Sequence, residues 1–332
     1  MTLFLYSIGH FLVDALCVTT LFSAGTEGER LLLGVLLYNT LAFSTQCFVG
    51  LLADRAGRCR EGILAAFALV ILGFVLPLPF YARILLAGVG NSFFHVAAGT
   101  LTLQRSGGKA WQLGVFVAPG AFGVTLGTLY PRFGWLLAAA MALCAVAVGF
   151  CKEDPALEAA KPTPKTDRFP LLHVVLLTIA VAVRAVGGVA VSFPWKQTAG
   201  HAFLMTAFVF AGKTAGGFVC DRLGERRSAW LSIPLAAVCI AFFSASMPLS
   251  LLGQLLLNLT MPITLWLLYR LMPDAPGFAF GLAASALWPG TVAGYFISLS
   301  GPLLWAFVLV TFCFGLFAIL HASEYLKKKT AS

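Results

Sequence analysis

The sequence predicts an all-α integral membrane protein: twelve transmembrane helices in two pseudo-symmetric six-helix bundles. Three observations carry this. The 332 residues are 60% hydrophobic and only 11% charged, with a mean hydropathy of +0.92. A water-soluble domain carries charge at roughly a quarter of its positions, so this chain could not cover its own surface in water. The apolar residues fall in runs near the roughly 20 residues a helix needs to cross a bilayer. A charged turn between two such runs also occurs twice, from Asp54 to Asp221, an offset of 167 positions.

The predicted spans are 2–23, 30–52, 62–79, 82–103, 111–130, 133–150, 170–193, 200–220, 229–246, 248–269, 277–297 and 302–322. Gly25 to Glu29, Pro77, Pro79, Pro131, Pro194, Pro248 and Pro302 mark breaks, because glycine and proline interrupt helices and lipid tolerates such breaks only at its surfaces or in protein-lined cavities. Residues 1–150 form the expected N-terminal bundle, 151–169 a polar linker rich in Lys, Glu, Pro and Ala, 170–322 the C-terminal bundle and 323–332 a tail. His10 and Asp14 make the first apolar run a span rather than a removed signal peptide.

Basic residues orient the chain. Sixteen of them, including Arg55, Arg58, Arg60, Arg105, Lys109, Arg222, Arg226, Arg227, Arg270 and Lys327 to Lys329, fall on one set of loops, and only Arg30, Arg83, Arg132 and Lys196 on the other. The positive-inside rule then puts both termini, the linker and both charged turns in the cytoplasm of a cell whose inner membrane the chain spans. The net charge of +9 follows from this scatter, so no nucleic-acid partner is expected. The expected surroundings are the lipid bilayer and the expected state a monomer. The eight cysteines lie in spans or on cytoplasmic turns and contain no Cys-x-x-Cys pair, so neither disulfides nor a metal centre is expected. No cofactor is implied.

Sliding the chain by 167 positions aligns Gly50, Asp54, Arg55, Gly57 and Arg60 with Gly217, Asp221, Arg222, Gly224 and Arg227. It also aligns Asn91 with Asn258, and Gly114, Gly123 and Gly127 with Gly281, Gly290 and Gly294. Glycines inside spans allow close helix approach. Asp54 and Asp221 can cap a neighbouring helix end, while Arg55, Arg58, Arg222 and Arg226 can serve free carbonyls and neighbouring acids. This makes the turns candidate conformational latches; the plainer reading is charged turns that keep loops in the cytoplasm.

A charge near the bilayer centre costs about 2.5–3.5 kcal/mol on insertion scales, so charges inside spans point to function. Asp14 is the one acidic residue in mid-span, with His10 one turn away on the same face. A carboxylate there is suited to loading and releasing a proton, which makes Asp14 and His10 the proton-coupling candidates. The structural alternative is a hydrogen bond between helices. Arg184 lies deep in the seventh span and Lys213 about two turns from the end of the eighth. These two, with Arg83, Asn91, His95, Gln46 and Asn258, are the substrate-binding candidates; Asn39 and Gln254 are secondary.

The repeated Gly-x-x-x-Asp-Arg-x-Gly turn between apolar helices resembles the signature loop of the major facilitator superfamily of transporters. That resemblance implies the major facilitator fold, with substrate handled near the midplane between halves and helices one, four, seven and ten facing the cavity. Gly9-His10-Phe-Leu-Val-Asp14, Gly88-x-Gly90-x-x-Phe-Phe-His95 and Gly120-x-x-Gly123-x-x-x-Gly127 further resemble the fosmidomycin-resistance type of efflux carrier. The expectation is a secondary active transporter that moves a small organic solute, an anion in the first reading, by alternating access with proton antiport. Proton symport or uniport of a small metabolite is the alternative. A membrane-embedded lipid-handling enzyme using His10, Asp14 and His95 is the rival class. No Walker loop, His-Glu-x-x-His or Gly-x-Ser-x-Gly motif is present, so the expectation is a carrier and not an enzyme.

Overall fold

The computed structural model describes residues 2–23, 27–151 and 170–331, and nearly all of them are helical. Lipid supplies no partner for a backbone N–H or C=O, so each span must satisfy its own backbone as a helix. The helices are α1 (Thr2–Phe22), α2 (Gly28–Asn39), α3 (Gln46–Ala56), α4 (Cys59–Val75), α5 (Phe80–Gln104), α6 (Trp111–Val117), α7 (Pro119–Leu129) and α8 (Gly134–Phe150). They continue as α9 (Leu171–Ala190), α10 (Ala199–Leu223), α11 (Glu225–Phe243), α12 (Met247–Leu271), α13 (Pro276–Ser285), α14 (Leu287–Phe296) and α15 (Gly301–Ala331). Among the described residues, ten helical segments are long and apolar enough to cross a membrane. The 17-residue α4 and the paired α13 and α14 complete the twelve spans. The linker expected at 151–169 lies, apart from Cys151, outside the described residues.

Three spans are interrupted. The second runs from α2 through a π-helical turn, Thr40–Ser44, into α3. The fifth breaks at Ala118, where Pro119 removes a ladder donor and opens α7. The eleventh breaks at Ala286. The last span does not stop near 322 but continues as helix to Ala331. All eight cysteines are free thiols.

The chain divides into two compact units. The first holds 1–105, 116–163 and 274–285, and the second 106–115, 164–273 and 286–332. The breaks at Ala118 and Ala286 thus fall near the points where the fifth and eleventh spans pass from one unit to the other.

Within the first unit α7 lies on α1. A Cβ at Gly123 would land on the Phe11 carbonyl oxygen and one at Gly127 on the Ala15 carbonyl oxygen. Glycine at both positions is what lets the two backbones touch. In the second unit Gly290 of α14 meets α9 in the same manner, where a Cβ would strike the Ala182 carbonyl oxygen. The glycines paired by the repeat therefore do the same packing work in each unit. The core of the first unit is completed by Phe67, Phe94 and Phe116, all essentially inaccessible to solvent.

Candidate functional site

The most polar interior point of the first unit is built from two helices. α1 supplies His10 and Asp14, and α5 supplies Asn91 and His95. Each pair is spaced i, i+4, so each presents both side chains on one helix face. The helices come close because Gly9 has no side chain: a Cβ there would sit 2.9 Å from the Phe94 ring. With Phe94 seated on α1, the adjacent His95 reaches across. Its Nε2 lies 2.9 Å from His10 Nε2, with the rings edge to face at 83°.

Backbone carbonyls fix both imidazoles. His10 Nδ1 lies 2.8 Å from the Phe116 carbonyl oxygen, beside the Ala118 break. His95 Nδ1 lies 2.9 Å from the Asn91 carbonyl oxygen. A carbonyl oxygen only accepts, so each Nδ1 carries the proton and donates. In the neutral rings each Nε2 then presents a lone pair toward the other ring. The Asp14 carboxylate faces them, Oδ2 3.3 Å from His10 Nε2 and Oδ1 3.6 Å from His95 Nε2.

Asn91 orients the acid. Its Nδ2 donates to Asp14 Oδ1 at 3.0 Å and to the Tyr38 hydroxyl of α2 at 3.0 Å. His10, Asn91, His95 and Tyr38 are all buried, and the Asp14 side chain retains 13% of its accessible surface. Two imidazole nitrogens and a carboxylate thus converge in a nearly dry place. A single cation in the middle would be shared by all three. Chemically the arrangement can hold a proton shared between the rings, or a metal ion. Gly120 of α7 makes room for it, since a Cβ there would fall on Asp14 Oδ2 and His10 Nε2.

The repeat does not carry this cluster into the second unit. At an offset of 167, His10, Asp14 and His95 correspond to Leu177, Val181 and Pro262. That unit holds cations instead. Arg184 of α9 is half-buried and donates from a guanidinium nitrogen to the Thr260 hydroxyl of α12 at 2.8 Å. Among the described residues it forms no ion pair. Lys213 is half-buried on α10. Asn258 donates to the Gln254 carbonyl at 2.8 Å.

The remaining binding candidates, Gln46 and Arg83, hydrogen-bond to backbone carbonyls. Gln46 is inaccessible to solvent, and its amide donates to the Ala42 carbonyl across the π-helical turn at 2.7 Å. Arg83 donates to the carbonyls of Gly73 and Phe74 at 3.0 and 3.3 Å, closing the C-terminus of α4, where free carbonyls favour a cation. Of the sequence candidates, the structure therefore brings together His10, Asp14, Asn91 and His95. Tyr38 and Thr260 carry no distinctive sequence signal and emerge only as hydrogen-bond partners.

The repeated turns show matching geometry. Asp54 accepts from the Gly277 and Phe278 N–H groups at 2.7 and 2.8 Å, at the start of α13. Asp221 accepts from the Ala110 and Trp111 N–H groups at 2.7 and 3.0 Å, at the start of α6. Each carboxylate thus satisfies two orphan donors of a helix N-terminus and complements its dipole. Gly50 and Gly217 sit one turn earlier on α3 and α10. A Cβ at Gly217 would lie 2.6 Å from the Ala110 carbonyl oxygen, and one at Gly50 would strike the Gly277 carbonyl oxygen. Gly57 and Gly224 end the helices with φ of 65° and 79°, a backbone region open mainly to glycine. Arg55, Arg58, Arg222 and Arg226 stand exposed around the turns.

No protein-family profile and no curated protein matches the chain. Solved structures do. A major facilitator superfamily transporter, FucP, in an outward conformation is similar over 97% of this chain and 98% of its own, with a TM-score of 0.69 at 13% identity. A variant of the E. coli fucose:proton symporter FucP is similar over 97% and 96%, with a TM-score of 0.66 at 13% identity. The fold is that of the major facilitator transporters, in a multi-pass integral membrane protein.

Proposed function

We propose that the chain is a secondary active transporter that moves a small organic anion across the cytoplasmic membrane by alternating access, with a proton as the coupling ion. The observation that carries this reading is the buried cluster of His10, Asp14, Asn91 and His95, a cation seat placed on the first and fourth spans of a transporter fold. Arg184 supports the anion assignment, because a half-buried guanidinium without an acidic partner suits a carboxylate, phosphate or phosphonate. The likeness of spans one, four and five to fosmidomycin-resistance carriers supports efflux by antiport. Proton symport is the second reading, favoured by the fucose:proton symporter among the similar structures. In this reading both termini and both Asp-Arg turns face the cytoplasm, and the turns act as latches on α6 and α13.

Proteoliposomes test the reading with radiolabelled fosmidomycin, a phosphonate, and lactate, a carboxylate. Counterflow of chemically unchanged solute supports a carrier, and a modified product supports a membrane-embedded enzyme. Asp14→Asn should abolish accumulation driven by a pH gradient while counterflow continues. Gradient-driven accumulation that survives in this variant places the coupling site elsewhere. A reporter fused at Ser332 that reads outside the cytoplasm overturns the topology.

A further inference from the structure

We propose that His10, Asp14 and His95 form a three-ligand site for a late first-row divalent metal ion, Zn²⁺ foremost, with a remaining position for water. This goes beyond the carrier reading and does not depend on it. The ligand atoms all lie within 4.8 Å of one another. Ligands about 2.0–2.1 Å from a tetrahedral zinc lie about 3.3 Å apart along each edge. The facing pairs here measure 2.9 Å between the two Nε2 atoms and 3.3 and 3.6 Å from them to the carboxylate oxygens. The 2.9 Å separation suits a shared proton as well; the carboxylate distances run from two different oxygens, Oδ2 to His10 and Oδ1 to His95, so the acid can offer an oxygen toward either imidazole.

The surroundings are those of a metal site. Each imidazole donates its Nδ1–H to a backbone carbonyl, the outer contact that fixes the tautomer and aims the Nε2 lone pair inward. Asn91 does the same for the carboxylate through Oδ1. The donor set of two imidazoles and one carboxylate favours zinc and its neighbours over Mg²⁺ or Ca²⁺, which take oxygen. Gly120 is a condition of the site, since any side chain there would occupy the space of Asp14 Oδ2 and His10 Nε2. A bound ion would tie α1 to α5.

The test uses the purified full chain in detergent, stripped with a chelator and titrated with ZnCl₂ alone by calorimetry, with metal analysis after removal of the excess. One Zn²⁺ per chain is expected. His10→Gln and His95→Gln should lose stoichiometric binding, while His201→Gln, at a half-buried position of α10 away from the cluster, should retain it. Asn91→Ala, which removes a positioning residue, should bind about 10- to 100-fold more weakly. A spectroscopic test on the unmodified chain guards against variants that fail to fold. Co²⁺ should give the intense visible bands of a four-coordinate nitrogen and oxygen site, and Zn²⁺ should abolish them. Absence of one-to-one binding, a six-coordinate Co²⁺ spectrum, or full binding by the His10→Gln, His95→Gln double variant each overturns the proposal. Because these readouts need no transport, loss of Asp14-dependent accumulation in metal-free vesicles tests the carrier reading separately.

Discussion

Replacing Asp54 by Ala should release the N-terminus of α13. The carboxylate accepts two short hydrogen bonds from the Gly277 and Phe278 N–H groups. A hydrogen bond to a charged group contributes about 1.5–3 kcal/mol when buried, and the favourable placement of a carboxylate at a helix N-terminus adds about 0.3–1 kcal/mol. Asp54 is half-buried, so water recovers part of the loss, and the net cost should be about 2–3 kcal/mol. At about 1.4 kcal/mol per factor of ten, the opened form should gain about 30- to 150-fold in population. Hydrogen–deuterium exchange read by mass spectrometry measures it directly, because the two amides concerned are the reporters. Exchange at 277–278 should accelerate by that factor in Asp54→Ala and by less in Asp54→Asn, which keeps one acceptor oxygen. Amides in the middle of α1 should be unchanged in both. Unaltered exchange at 277–278 in Asp54→Ala would refute the latch geometry.

Other consequences are equally direct. Asp221→Ala should accelerate exchange at 110–111 in the same experiment, by less than at 277–278 because Asp221 is exposed and water recovers more of the loss. Gly123→Leu drives a side chain into the α1 backbone at Phe11 and should cost at least the about 1–3 kcal/mol of an overpacked core, seen as a lowered midpoint of thermal unfolding in detergent. Arg184→Gln should abolish thermal stabilisation by phosphonates and carboxylates. Stabilisation by lipophilic cations alone, unchanged in that variant, would overturn the anion assignment.

Much of the fold was legible because its signals are local. Apolar length marks a span, and proline and glycine mark its ends. The paired glycines were legible as well: Gly123 and Gly290 pack against the first span of their respective bundles, as the repeat implied. The breaks at Ala118 and Ala286 and the π-helical turn were not, because an apolar helix and an interrupted one share the same composition. Proline position alone did not separate a span boundary from a break within a span. The charged cluster was half legible. His10 with Asp14, and Asn91 with His95, announce themselves by one-turn spacing. That the two pairs meet depends on Phe94 resting over Gly9, a contact between residues distant in sequence. Arg83 donates to the carbonyls that end α4, a contact that its charge in an apolar run does not announce.

The most direct test of the central reading is the response of the purified chain in proteoliposomes to an imposed pH gradient, with radiolabelled fosmidomycin as the solute and metal excluded. The carrier reading expects chemically unchanged solute to accumulate against its gradient, the effect to vanish in Asp14→Asn, and counterflow to persist in that variant. Accumulation that is indifferent to Asp14, or a solute recovered in altered chemical form, would contradict it.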